Sequence, residues 1–189
     1  QPDGDRASST LAQALERAQT HALAVEENLK AVIYGYAGEE SLFELMGKSL
    51  WQAQAKLPSA SRPTLELVYE NTVILLFRLL FIVYFEDRNR DLLAQHPFYK
   101  RYSLKTLYQY LSQNASAAAD ARFDGIHALK ELFEVLDEGA PDIDLPLFNG
   151  GLFDPARAPL LLAPKIFSNA SLRELLEKLL FKTQRGTTL

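Results

Sequence analysis

The chain has 189 residues, of which 48% are hydrophobic and 23% charged, with a net charge of -4 and no cysteine. The length suits one domain able to bury about 70% of its unfolded surface, and the composition is that of ordinary globular proteins, which excludes disordered and fibrous classes. Lack of cysteine excludes disulfides, thiolate nucleophiles and thiolate metal sites, while the overall acidity excludes a uniformly basic nucleic-acid binder.

Charge is spread unevenly: residues 1–70 sum to -4, 71–110 to +3, 111–160 to -6 and 161–189 to +3, so only local basic faces are available. The opening QPDGDRASST has no apolar run behind a basic end and does not read as a secretory signal. Met46 is the single methionine and the chain starts on the bulky Gln1, so we expect a piece of a longer polypeptide.

Leu11, Leu15, Ala18, Ala22, Val25, Leu29 and Val32 alternate steps of four and three, which predicts a first amphipathic helix. Ser8, Ser9 and Thr10 offer caps before it, and Gly35 and Gly38 offer stops after it. A second helix is predicted over Glu39 to Lys56, with Leu42, Leu45, Met46 and Leu50 inward, ended by Pro58.

The third begins after Pro63 and runs from Thr64 to about Asp87 without internal Gly or Pro, a length of about 35 Å. Its uninterrupted apolar part, Val73 to Phe85, is 13 residues long and contains Arg78, whereas a bilayer span needs about 20 residues. A helix apolar on nearly every face instead belongs inside a bundle. A buried guanidinium without a partner is too costly to persist. Since Ile74, Leu75, Phe81 and Ile82 cannot pair with Arg78, a carboxylate or carbonyl from another helix, or an escape to solvent, is expected.

Beyond Asp87 the segment RNRDLLAQHPFYKRYSLKTL reads as a loop re-entering a helix near Ser103. Arg88 and Arg90 suit the negative end of the preceding helix dipole. With Lys100, Arg101 and Lys105, and the aromatic rings between them, they are also the candidate contacts to a phosphate backbone.

Helices follow at Leu104 to about Asn114 and Phe123 to Glu138, the latter stopped by Gly139, with NASAAADA between them as a loop or weak helix. Residues 139–164 hold five prolines and three glycines and predict an irregular loop. Within it, FNGGLFDP combines Asn149, Gly150 and Gly151, which tolerate left-handed backbone, with Asp154 before Pro155. We read it as an aromatic-anchored structural turn. A last helix opens on the capping-box pattern Ser171-Leu172-Arg173-Glu174 and stops near Gly186.

The expected fold is therefore all-α: an irregular multi-helix bundle with a long central apolar helix at about 64–87 and a Pro/Gly-rich loop at about 139–164. Residues 1–60 form an N-terminal helical segment packed with 61–189 as one domain. His21, His96 and His127 are isolated, and Glu86 and Asp87 diverge by about 100° on a helix, so no metal or catalytic set is expected. Phosphate-loop and dinucleotide motifs are absent.

LLFRLLFIVYFEDRNRDLL, YKRYSLKTL and LPLFNGGLFDP, followed by a leucine-rich helix, together resemble the helical region of type IIG-like restriction-modification proteins, which carry an adenine-specific DNA methyltransferase. The resemblance spans about Leu65 to Phe181, and FNGGLFDP is its most specific part. It implies a helical connector beside a methyltransferase domain of the same chain, a cytoplasmic location, duplex DNA as a partner and no membrane. S-adenosylmethionine would be bound elsewhere in the parent chain. The glycine-bearing pocket and the Asn/Asp-Pro-Pro-Tyr/Phe loop of such enzymes are not in this stretch, so no catalytic or cofactor residue carries over. The alternative is a self-contained helical module that binds protein.

Overall fold

The computed structural model describes residues 30–31, 33–35, 40–55, 57–90, 103–139 and 150–182. The predicted Leu11–Val32 helix therefore falls almost wholly outside the described residues, as do Lys100, Arg101 and Asn149. The described chain is all-α, with no strand. Its helices are α1 (Leu42–Ala53), α2 (Leu65–Arg88), α3 (Leu104–Gln113), the single turn α4 (Ala117–Asp120), α5 (Asp124–Glu138) and α6 (Asn169–Glu177).

Side-chain caps set most of the helix starts. Ser41 and Glu44 form a reciprocal capping box at α1, each satisfying the other's backbone N–H at 3.0 Å. Thr64, Ser103, Ser116 and Ser168 accept the N–H three residues on at the heads of α2, α3, α4 and α6. Pro63 thus lies just ahead of the cap rather than inside the first turn of α2. At Gly35 the backbone turns left-handed (φ 79°) and its N–H returns to the Ala31 carbonyl, the stop expected there.

The last helix starts one turn earlier than its capping box predicts. Ser168, not Ser171, is the N-cap, and the Ser171 N–H donates to its hydroxyl. Asn169 explains the shift. Its backbone N–H bonds the Arg122 carbonyl, its Oδ1 accepts from Gly125 and its Nδ2 donates to Ala119, so three long-range bonds hold the extra turn. The helix then runs on through a π-type turn, Lys178–Lys182.

One hydrophobic cluster extends from Ile33 to Leu180. Within it α6 touches α1, α3, α4 and α5, while α2 packs chiefly on α1 and on the 3-10 turn Pro159–Leu162. Fully buried Leu172, Leu175 and Leu176, with Leu179 in the π-type turn that follows, make α6 the hub. The long helix α2 is apolar as expected and, by length and composition alone, passes as a bilayer span, with 44% of its apolar window buried inside the protein. It is not enclosed on all sides, however. Leu65, Tyr69, Phe77 and Tyr84 remain 73%, 61%, 56% and 65% exposed.

Candidate functional site

The buried face of α2 carries Asn71, Thr72 and Arg78, at 1%, 1% and 2% exposure; Thr72 bonds back to Val68 of its own helix, and the other two reach outward. Both reach the same irregular segment. The Arg78 guanidinium donates from Nε to the Leu152 carbonyl at 2.7 Å and from Nη2 to the Asp154 carbonyl at 2.8 Å. Asn71 donates to Leu67 on its own helix and accepts the Leu160 N–H at 3.0 Å. From α5, Lys130 donates to the carbonyls of Leu162 and Ala163. Residues 152–163 close only short 3-10 turns of their own, Pro155–Arg157 and Pro159–Leu162, and these three side chains bond further backbone groups of the segment.

Aromatic rings complete the seat. The Arg78 guanidinium carbon lies 5.2 Å from the Phe133 ring centre and 5.8 Å from that of Phe153, within cation–π range. Phe153 also meets Phe81 edge-on at 5.5 Å. Burial pushes the Arg78 guanidinium below its ordinary value, against the opposing pull of the Asp137 and Asp154 carboxylates. A guanidinium has so high a starting value that it stays charged.

The expected carbonyl partner is therefore present, but it comes from the aromatic turn rather than from another helix. The turn itself behaves as its residues predict. Gly151 is left-handed at φ 65°, Phe153 is inserted in the core at 2% exposure, and the Asp154 carboxylate accepts the Ala156 N–H to start the 3-10 turn Pro155–Arg157. Gly150 is exposed and is not left-handed.

The candidate phosphate contacts come out differently. Arg88 and Arg90 are exposed at the C-terminal end of α2, and Lys105 is exposed in the first turn of α3. Arg90 pairs with Asp87 in an exposed ion pair. Arg90 and Lys105 share the rim of a cavity of about 280 Å³, but Glu86 and Asp87 share it too, so the local charge cancels. Glu86 has a structural task, accepting the Leu104 N–H at 2.8 Å and so joining α2 to the head of α3.

A second polar region was not legible beforehand. Lys48 and Ser49 of α1, Lys165, and Ser168 and Ser171 at the head of α6 line an open cavity of about 490 Å³. No local motif marks these residues, because α1 and α6 meet only through tertiary packing. His127 is exposed on α5, and among the described residues no group of three or more His, Cys, Asp or Glu is placed to hold a metal ion.

No protein-family model, curated protein or solved structure matches this chain significantly.

Proposed function

We propose that the chain is a helical connector of a restriction-modification DNA methyltransferase, holding the methyltransferase domain and a target-recognition or nuclease domain in fixed relation on duplex DNA. The observation that carries the reading is the Arg78 joint. Two pieces of the resemblance, the arginine-bearing apolar helix and the FNGGLFDP turn, meet through two short hydrogen bonds between residues 74 to 76 positions apart. A spacer between domains needs such a joint, because it must transmit orientation without flexing.

In this reading the fragment has no chemistry of its own, and methyl transfer from S-adenosylmethionine takes place in the flanking domain. The test is to obtain the full-length polypeptide and assay transfer of a labelled methyl group to adenine in duplex DNA. Activity lost on Arg78→Ala, with the methyltransferase domain still binding S-adenosylmethionine, is the result expected of a connector. A full-length chain with neither a glycine-bearing cofactor motif nor an Asn-Pro-Pro-Tyr loop overturns the reading.

A self-contained protein-binding module is the second reading, favoured by the exposed Tyr69, Phe77 and Tyr84 on α2. It takes over if that full-length chain carries no methyltransferase domain.

A further inference from the structure

The outward face of α2 is open along most of its length. Phe77 and Tyr84 are 56% and 65% exposed, Val73 is half-buried one turn earlier, and Tyr69 flanks them at 61%. An apolar helix face left in water marks a contact surface. The ends of the face say what fits it. Glu66 and Glu70 are exposed toward the N-terminal end, and Arg88 is exposed at the C-terminal end. At 3.6 residues per turn, Glu66, Glu70, Val73, Phe77, Tyr84 and Arg88 fall within about 60° of one another, so the charges share one stripe with the rings. Among the described residues, none of these three charges is in an ion pair.

The stripe is symmetric about its middle. Phe77 lies eleven residues from both Glu66 and Arg88, and seven from both Glu70 and Tyr84. Eleven residues are about three helical turns and seven about two, so a second α2 laid antiparallel across Phe77 meets the first in register. Glu66 then faces Arg88 of the other copy. Glu70 faces Tyr84, whose hydroxyl donates to the carboxylate, and the two Phe77 rings meet at the axis. Each off-axis contact occurs twice, as a two-fold interface requires. Parallel pairing instead sets Glu66 and Glu70 against their own copies and aligns the two helix dipoles, so electrostatics rejects it.

We propose that the open face of α2 is a homodimer interface, in which two copies of this chain pair antiparallel along the Phe77 stripe. One helix face is small beside the roughly 1,200–2,000 Å² of standard interfaces, so the dimer is weak and concentration-dependent. The proposal names a partner for the exposed rings and does not depend on the connector reading.

The test is sedimentation velocity on the 189-residue chain across a wide dilution series. Wild type forms dimer as concentration rises. Phe77→Glu sets two carboxylates against each other at the axis and leaves monomer. Glu66→Lys and Arg88→Glu each weaken association about three- to tenfold, and the double variant, which exchanges the two charges, restores it. That rescue is specific to the antiparallel register, because the two positions lie about 33 Å apart on one helix and cannot compensate each other within it. All three positions carry exposed side chains, so the variants fold, and thermal melting checks that. A chain that stays monomeric throughout overturns the proposal, and if it floats with phosphatidylcholine vesicles the face meets lipid instead. A dimer insensitive to Phe77→Glu forms elsewhere on the molecule and overturns it too. A double variant that associates no better than either single one overturns the antiparallel pairing.

Discussion

Ten residues separate Arg78 from Arg88 on one helix, and the two arginines have opposite fates. Arg78 lies in the core at 2% exposure with carbonyl partners and two aromatic faces. Arg88, with Arg90, stands in solvent where the helix ends. The residue type is the same and the energetics are not. In water a guanidinium already has its hydrogen bonds, so a surface pair adds little. In the core the same group is tolerable only when fully bonded, and its removal then orphans everything it bonded.

Polar joins between these extremes form a graded series. Asn169, at 4% exposure, is uncharged but holds three segments together. Arg173 and Asp120 form a two-pronged pair at 2.6 and 3.0 Å whose side chains are 24% and 28% exposed. The Arg90 and Asp87 side chains are 72% and 60% exposed. If burial of the bonded groups sets the cost of losing them, the losses should fall in that order.

Arg78→Ala should cost most, about 3–5 kcal/mol, because it leaves a cavity between two rings, takes the Arg78 bond from the Leu152 carbonyl and leaves the Asp154 carbonyl with only the Arg157 N–H. Chemical denaturation measures it. A loss under about 1 kcal/mol would mean that the turn finds other donors. Asn169→Ala should cost about 2–3 kcal/mol, since the Gly125 N–H loses the Asn169 carbonyl oxygen and the Ala119 carbonyl loses one of its donors. Hydrogen exchange should show the head of α6 opening first, and unaltered protection there would break the assignment.

Asp120 sharpens the middle of the series through pH. The hydrogen bond from Arg173 holds the Asp120 carboxyl below its ordinary value, against the opposing effect of burial and with a lesser contribution from the Arg173 charge. A group lowered on folding stabilises above its unfolded value of about 4, and that contribution disappears as pH falls through the folded value. Asp120→Asn should therefore lower stability at neutral pH and flatten its decline below about pH 4. Parallel melting curves for both proteins across that range would count against it. Arg90→Ala should change stability by less than about 0.5 kcal/mol, and raised salt should shrink even that.

Helix positions were legible because their signals are local. The periodic leucines, the stop at Gly139 and the glycines before Asp154-Pro155 all act within a few residues of themselves. The Ser41–Glu44 capping box, a local signal that the sequence reading passed over, sets the head of a helix predicted three residues too early. Where two serine caps competed, local pattern chose Ser171, and the structure chose Ser168 because Asn169 bonds residues 44 to 50 positions away.

Chain-local chemistry thus settled the all-α class, the approximate places of the helices and the need for Arg78 to find a partner. Tertiary packing decided which carbonyls it found, which face of α2 stayed open, that α6 became the hub, and that Lys48, Ser49 and Lys165 share one cavity. The physical reason is range. Periodicity and capping operate over three or four residues, whereas Lys178 meets Glu40 across 138 positions, a distance at which only the packed core sets who is adjacent.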